Sequence, residues 1–130
     1  MQRDDEFDQQ FVERQRQRLL ALREELVRIR EGVAADERDL GNSEGDFTQH
    51  DSGDMSQSMF TREMDASIGE QVERRLGDVD RALQKIEDGS YGICEDTGER
   101  IPKGRLEAVP EAIRTVEAQR RFEQQRRPPI

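Results

Sequence analysis

The sequence has few of the residues that build disulfides, membrane spans and metal centres. Cys94 is its single cysteine and His50 its single histidine among 130 residues. A lone cysteine cannot close an internal disulfide, which agrees with a reducing compartment. No apolar run approaches the roughly 20 residues that span a bilayer, and residues 1–6 lack the apolar core of a signal peptide. The sequence therefore predicts a cytoplasmic protein without a membrane partner.

Residue combinations typical of catalytic centres are also missing. We find no Ser/His/Asp or Cys/His arrangement, no phosphate-binding loop and no complete set of metal ligands. His50 has no second histidine at zinc-ligand spacing, so we interpret it as a loop residue and not as a ligand or proton donor. We expect a protein that is not an enzyme and carries no cofactor.

Charge dominates the composition. Charged residues make up 39% of the chain and hydrophobic residues only 32%, with a net charge of −9 and a pI of about 4.7. Such a chain is repelled by phosphate backbones, which excludes direct nucleic-acid binding as the leading interpretation. The low apolar content suits a helical hairpin with a single apolar seam. Disorder is the alternative, but the apolar residues recur at helical spacing.

Two long stretches carry that spacing. From about residue 5 to residue 35 there is no proline, and apolar residues repeat at intervals of three and four, interrupted at Gln15. A second stripe ends at Asp88-Gly89, a helix-stop signal. The first stripe is Leu19, Leu22, Leu26, Ile29 and Val33, and the second is Met64, Ile68, Val72, Leu76, Val79, Leu83 and Ile86. We predict a mainly all-α fold, with residues 1–88 forming a long antiparallel coiled-coil hairpin.

The connection between the two helices is acidic and contains glycine. Residues 34–56 hold seven acidic residues against one arginine, so most of the net charge lies in this segment. We predict the hairpin tip at about residues 40–56, with Ser52 or Asp54 capping the second helix. Such a tip is suited to insertion into a basic or metal-bearing partner.

The pattern changes after Gly89. Short apolar residues alternate with turn formers from Tyr91 to Leu106, which predicts a small knuckle with a β-like hairpin. Pro110 then opens a last helix that runs to about Arg126. Residues 89–130 are therefore predicted to form a small globular end.

The knuckle carries a family resemblance. The run Gly89-Ser90-Tyr91-Gly92-Ile93-Cys94, with Thr97-Gly98, Ile101 and Arg105-Leu106-Glu107-Ala108-Val109-Pro110, resembles the zinc-knuckle segment of the DksA/TraR transcription factors. Aligned without gaps, the four zinc-ligand positions of that family fall on Cys94, Thr97, Thr115 and Ala118. The resemblance therefore implies a degenerate zinc finger that lacks metal. We expect Thr97 and Thr115 to form hydrogen bonds where thiolates would bind zinc.

The resemblance extends to the tip. The family motif D-x-x-D-x-A falls on Asp51, Asp54 and Ser56. It implies a regulator of transcription initiation that binds bacterial RNA polymerase through the secondary channel, with the tip near the active centre and without DNA contact. The plainer interpretation of the two carboxylates is a solvated turn with a helix cap. A coiled-coil stress or scaffold protein and a Gre-type stimulator of transcript cleavage are the alternative functions.

Many family members act together with ppGpp, which binds between the polymerase and the globular end of the factor. Positions that are basic in responsive members are here Asp78, Val109 and Gln119. A nucleotide with several phosphates needs cations, so the resemblance implies weak synergy with ppGpp.

Two further groups allow competing interpretations. Cys94 could be a redox sensor, but Glu95 and Asp96 are expected to disfavour its thiolate, so we interpret it as a packed, inert residue. Met55, Met59 and Met64 could form a soft binding surface, although their near-helical spacing favours packing in the seam.

Overall fold

The described part of the chain consists of two long and two short helices. A computed structural model describes residues 7–42 and 52–126, and the side chains of residues 7–36 and 57–126. The helices are α1 (Gln9–Asn42), α2 (Ser52–Asp88), α3 (Lys103–Ala108) and α4 (Val116–Arg126). An isolated antiparallel bridge joins Ile93 to Arg100. The predicted all-α fold is confirmed. Among the described residues, no helix combines the length and the apolarity needed to cross a bilayer.

Local signals in the sequence fix the ends of the long helices. The carboxylate of Asp8 accepts a hydrogen bond from the backbone N–H of Phe11 at 2.8 Å and caps α1, which begins slightly later than predicted. α2 ends where Gly89 adopts a φ of 80° and the N–H of Ser90 donates to the carbonyl of Lys85 at 2.8 Å. This pattern is a Schellman motif, which glycine favours because it has no Cβ. The stop predicted at Asp88-Gly89 is confirmed.

Packing divides the chain into two compact units. Residues 24–76 form one, which we call the hairpin unit. Residues 1–23 and 77–130 form the other, which we call the terminal unit because it contains both ends of the chain. The terminal unit therefore includes the first part of α1 and the last part of α2 together with α3 and α4.

Within the hairpin unit, α1 and α2 run antiparallel. Arg30 and Glu73 form an ion pair of 3.7 Å between the helices, and Val33 lies beside Gly69. The residues with the least exposure are Leu26, Val72 and Leu76. Burial of such side chains stabilises the hairpin by about 1.5–3 kcal/mol each.

The predicted stripe of α2 is wrong toward the start of the helix. Met64 and Ile68 are 48% and 37% exposed, whereas Asp65 is buried. Residues 64, 68, 72 and 76 are separated by steps of four, and each such step advances about 40° beyond a full turn. The stripe therefore rotates away from the seam, which passes instead through Asp65, Gly69 and Val72. The first helix shows a similar departure, because Ile29 is 39% exposed.

The terminal unit holds the larger core. Its buried apolar residues come from all four helices, from the segment around the bridge and from the turn that precedes α4: Phe11, Leu19, Val79, Ala82, Tyr91, Cys94, Ile101, Leu106, Ala112, Ile113 and Ala118.

A buried hydrogen-bond chain crosses this core. Gln15, which interrupts the apolar repeat, is 2% exposed. Its Nε2 donates to the hydroxyl of Tyr91 at 3.0 Å and to the carbonyl of Leu106 at 2.8 Å. The Tyr91 hydroxyl donates in turn to the carbonyl of Pro110 at 2.9 Å. Burial raises the pKa of Tyr91, which keeps this donor protonated. The polar group inside the seam is thus satisfied by partners far along the chain.

The last helix begins later than predicted. Residues 110–115 form turns and a bend, and α4 starts at Val116. The hydroxyl oxygen of Thr115 accepts a hydrogen bond from the N–H of Ala118 at 3.2 Å, which makes Thr115 the helix cap. Val116, the first residue of α4, is 49% exposed.

Candidate functional site

The tip motif lies at the margin of what the structure describes. Asp51 and His50 lie outside the described residues. Asp54 and Ser56 belong to the backbone of α2, which begins at Ser52, and their side chains also lie outside the described set. Asp54 therefore lies inside the helix. The sequence suggested it as one of two candidates for the helix cap.

The knuckle is built from tight turns that require glycine. Gly92 and Gly98 have φ angles of 90° and 76°, a region in which other residues are strained. The N–H of Cys94 donates to the carbonyl of Glu99, and the N–H of Ile101 donates to the carbonyl of Gly92, both at 2.7 Å. These bonds hold the two edges of the predicted β-like hairpin together.

The four positions predicted to correspond to zinc ligands lie in one cluster. Cys94 is 2% exposed, and its sulfur is hydrogen-bonded by the Thr97 hydroxyl and by the backbone N–H groups of Asp96, Thr97 and Thr115. Ala118 joins the cluster through its N–H, which donates to Thr115. A bond of 2.9 Å from the N–H of Glu95 to the carbonyl of Ile113 keeps the two segments adjacent.

The groups around the Cys94 sulfur determine the acidity of its thiol. Burial raises the pKa of Cys94, but the hydrogen bonds from Thr97, Thr115 and Asp96 outweigh it and lower the pKa from 9.0 to about 7. The neighbouring carboxylates were expected to disfavour the thiolate. The Thr97 hydroxyl and the backbone amides lower the pKa of the thiol instead, because they donate directly to the sulfur.

We expect the stability of the protein to rise with pH between about 7 and 9. A thiol whose pKa is lower in the folded state stabilises the fold when ionised, and that stabilisation is lost as pH falls through the folded pKa. The shift corresponds to about 1–3 kcal/mol at pH 9 relative to pH 6. Chemical denaturation at both pH values measures the difference. Cys94→Ser serves as the control, since its hydroxyl does not titrate, and an equal rise in that variant contradicts the assignment.

The donor set does not fit a zinc ion. A structural zinc site needs four thiolate or imidazole ligands in tetrahedral geometry, and these positions supply one thiol, two hydroxyls and a methyl group. Within the part of the chain that the structure describes, no three His, Cys, Asp or Glu residues are grouped to hold a metal. The hydrogen bonds to Cys94 and the apolar core stabilise the knuckle instead.

Purified protein is therefore expected to contain no stoichiometric zinc and to keep its thermal midpoint in the presence of a chelator. A metal-dependent knuckle would lose folding energy on chelation. Elemental analysis and a melting curve with and without chelator test both statements. A four-cysteine protein of the family that the knuckle resembles is the positive control. One zinc per chain refutes the expectation.

Two groups of contacts that the sequence did not reveal complete the knuckle. Arg114 Nε donates to Asp96 Oδ2 at 2.8 Å, and its guanidinium carbon lies 3.8 Å from the centre of the Phe122 ring. This arginine ties α4 to the segment that follows Cys94. The ring of Phe7 covers Gly92, and the guanidinium of Arg100 lies 4.7 Å from the centre of that ring. A glycine with a positive φ beneath an aromatic residue leaves no signal in the periodicity of the sequence.

Known proteins resemble the chain over most of its length. Residues 89–124 match the family model of the prokaryotic DksA/TraR C4-type zinc finger. The RNA polymerase-binding transcription factor DksA of Caulobacter vibrioides is 38% identical over 113 residues, which covers 86% of this chain and 75% of that protein. General stress protein 16O of Bacillus subtilis is 55% identical over 58 residues, 45% of this chain and 36% of that protein. The structure of transcription factor DksA2 from Pseudomonas aeruginosa matches with a TM-score of 0.69 and 30% identity, covering 91% of this chain and 87% of that one. The chain therefore belongs to the DksA/TraR family.

Proposed function

We propose that this protein regulates bacterial transcription initiation by binding RNA polymerase through its secondary channel. Its tip residues Asp51, Asp54 and Ser56 act near the active centre. The observation that carries the proposal is the 38% identity, over 86% of the chain, to a protein named as an RNA polymerase-binding transcription factor.

The charge distribution supports a protein partner and not DNA. Residues 24–76 contain fourteen acidic and six basic residues, a net charge of −8 within a total of −9. Repulsion between this unit and a phosphate backbone opposes DNA binding, whereas a basic protein surface attracts it. Carboxylates at the tip can bind basic side chains or perturb the Mg²⁺ coordination of a polymerase.

The alternative function is a stress or scaffold protein that no longer regulates polymerase. The 55% identity to General stress protein 16O favours it, although that match covers 58 residues. A scaffold does not need acidic residues at the tip motif.

Two measurements separate these functions. We expect the full chain to retain purified bacterial RNA polymerase in a pull-down and to change the yield of a promoter-dependent transcript. Promoter DNA alone is expected to show no mobility shift with the protein. Binding without a change in transcription supports the scaffold, and absence of binding overturns the proposal. Cleavage of RNA in a stalled complex identifies a Gre-type activity instead.

Synergy with ppGpp is expected to be weak. Asp78 is half-buried, and its pKa is raised by burial and by the carboxylates of Glu111 and Glu95, against the opposing effect of Arg114. The carboxylate of Asp78 repels a phosphate-rich ligand by an energy on the order of 1 kcal/mol at partly screened distances.

Transcription measured while ppGpp is titrated, with and without the factor, tests this expectation. An Asp78→Lys variant is expected to increase the response. A strong increase with the unmodified protein, beyond that of polymerase alone, contradicts the expectation.

A further inference from the structure

An exposed apolar stripe on α2 is not explained by the fold. Phe60, Met64 and Ile68 follow each other at intervals of four residues and are 59%, 48% and 37% exposed. Residues at this spacing lie on one side of a helix. They lie away from the seam that Asp65, Val72 and Leu76 occupy, so the stripe is available to a partner.

Between residues 57 and 71, the face that carries the stripe has no charged residue. Its remaining positions between residues 57 and 71 are also uncharged and exposed: Gln57, Thr61, Ser67 and Gln71. In a chain with 39% charged residues, such a face departs from the usual solvated surface. Apolar anchors at i, i+4 and i+8 are the pattern by which a helix lies in an apolar groove.

Arg75 follows Ile68 by seven residues on the same face, but the charged groups of two ion pairs lie elsewhere on the hairpin unit. Arg30 and Glu73 pair across another side of the seam, and Glu70 pairs with Arg74 along α2 at 3.9 Å. Met59 is 60% exposed but lies about 100° around the helix from Phe60 and 140° from Met64, outside the stripe. The exposed methionine at position 64 therefore shares a face with Phe60 and Ile68, whereas Met59 does not.

The net charge of the hairpin unit indicates which kind of partner binds this face. A second copy of the chain would bring two hairpin units of net charge −8 together, and like charges oppose that contact. A basic surface with an apolar groove is complementary both to the stripe and to the acidic unit around it.

We propose that Phe60, Met64 and Ile68 form the surface by which the hairpin unit docks on RNA polymerase, in an apolar groove flanked by lysine and arginine side chains. This inference rests on the proposed function and adds the residues that provide affinity along the hairpin, distinct from those of the tip. Exposed anchors of this kind provide much of the energy of an interface when they are desolvated.

The test replaces the stripe while leaving the fold in place. The triple variant Phe60→Gln, Met64→Gln, Ile68→Gln keeps residues of good helix propensity at exposed positions. Its thermal midpoint and helix content are expected to match those of the unmodified protein. Titration of purified RNA polymerase is expected to give a Kd at least about tenfold higher for the variant.

The matched control is Met59→Gln, an equally exposed position on the same helix but off the stripe. It is expected to bind polymerase with unchanged Kd. Equal binding by the triple variant and the unmodified protein overturns the docking surface and leaves the proposed function standing. Failure of the unmodified protein to bind overturns the proposed function itself. Sedimentation that shows a dimer for the unmodified protein and a monomer for the triple variant assigns the stripe to a second copy and also overturns the inference.

Discussion

An Asp54→Asn protein is expected to bind RNA polymerase with little change and to lose its effect on transcription. If the tip acts near the active centre after the hairpin has docked, affinity comes from surfaces elsewhere and the carboxylate provides only the regulatory step. Asparagine keeps the size of the side chain and removes its charge. Binding by titration and promoter-dependent transcription, measured in parallel, separate the two contributions. Asp51→Asn is expected to behave in the same way.

Asp36→Asn is the matched control for this pair of variants. Asp36 is exposed on α1, belongs to the same acidic segment and lies outside the tip motif. The same change of charge there is expected to leave regulation intact. If the Asp54→Asn protein still regulates transcription, the assignment of the tip is wrong. If the Asp36→Asn protein loses regulation to the same extent, total charge and not the tip motif is responsible for regulation.

Gly92→Ala is expected to lower the free energy of unfolding by about 2–4 kcal/mol. A residue with a Cβ at a φ of 90° is strained by about 1–3 kcal/mol. The new methyl group would also lie 3.2 Å from Cζ of Phe7, so that the ring would have to move away from the glycine it covers. Denaturant titration of the full chain measures the effect.

Two other glycines separate these contributions. Gly98 has a φ of 76° but open space around its Cβ position, so Gly98→Ala should show the strain alone, about 1–2 kcal/mol. Gly104 lies in α3 with open space and no positive φ, so Gly104→Ala should leave stability unchanged or raise it by up to about 1 kcal/mol. If all three variants lose the same stability, the contact between Phe7 and Gly92 has no energetic role.

The sequence predicted the elements that depend on local periodicity and on turn residues. The repeat from Leu19 to Val33 and the stop at Asp88-Gly89 identified α1 and the end of α2, because helical spacing and a glycine cap act over a few residues. The limits of this reasoning appear where apolar spacing alone does not fix orientation. Steps of exactly four from Met64 to Leu76 are compatible with several rotations of the helix, and only contact with α1 selects the one observed.

The chemistry of the knuckle was predicted in part. The structure brings Cys94, Thr97, Thr115 and Ala118 together, and their correspondence to zinc-ligand positions stays a prediction. The acidity of the Cys94 thiol was not predictable from the adjacent residues Glu95 and Asp96. It depends on the Thr97 hydroxyl and on backbone amides that reach the sulfur from both sides of the cluster, one of them contributed by Thr115. The role of Gln15 was also not predictable from its neighbours, and by spacing alone it only interrupts the apolar repeat. Its hydrogen-bond partners, Tyr91 and Leu106, are distant in sequence.

The terminal unit is discontinuous, and this has a consequence for the order of folding on the ribosome. Its first segment, residues 1–23, leaves the exit tunnel long before Tyr91 and Leu106 have been synthesised. The hydrogen bonds of Gln15 span 76 and 91 positions of the chain, so a large loop must close before they form. Residues 24–76, by contrast, are contiguous and can pair as soon as the second helix has emerged. Until the last third of the chain is complete, the nascent protein exposes the side chains of Phe11 and Leu19, which later become core. Truncation near the C-terminus is therefore expected to leave the N-terminal segment unpacked, however far it lies from the missing residues.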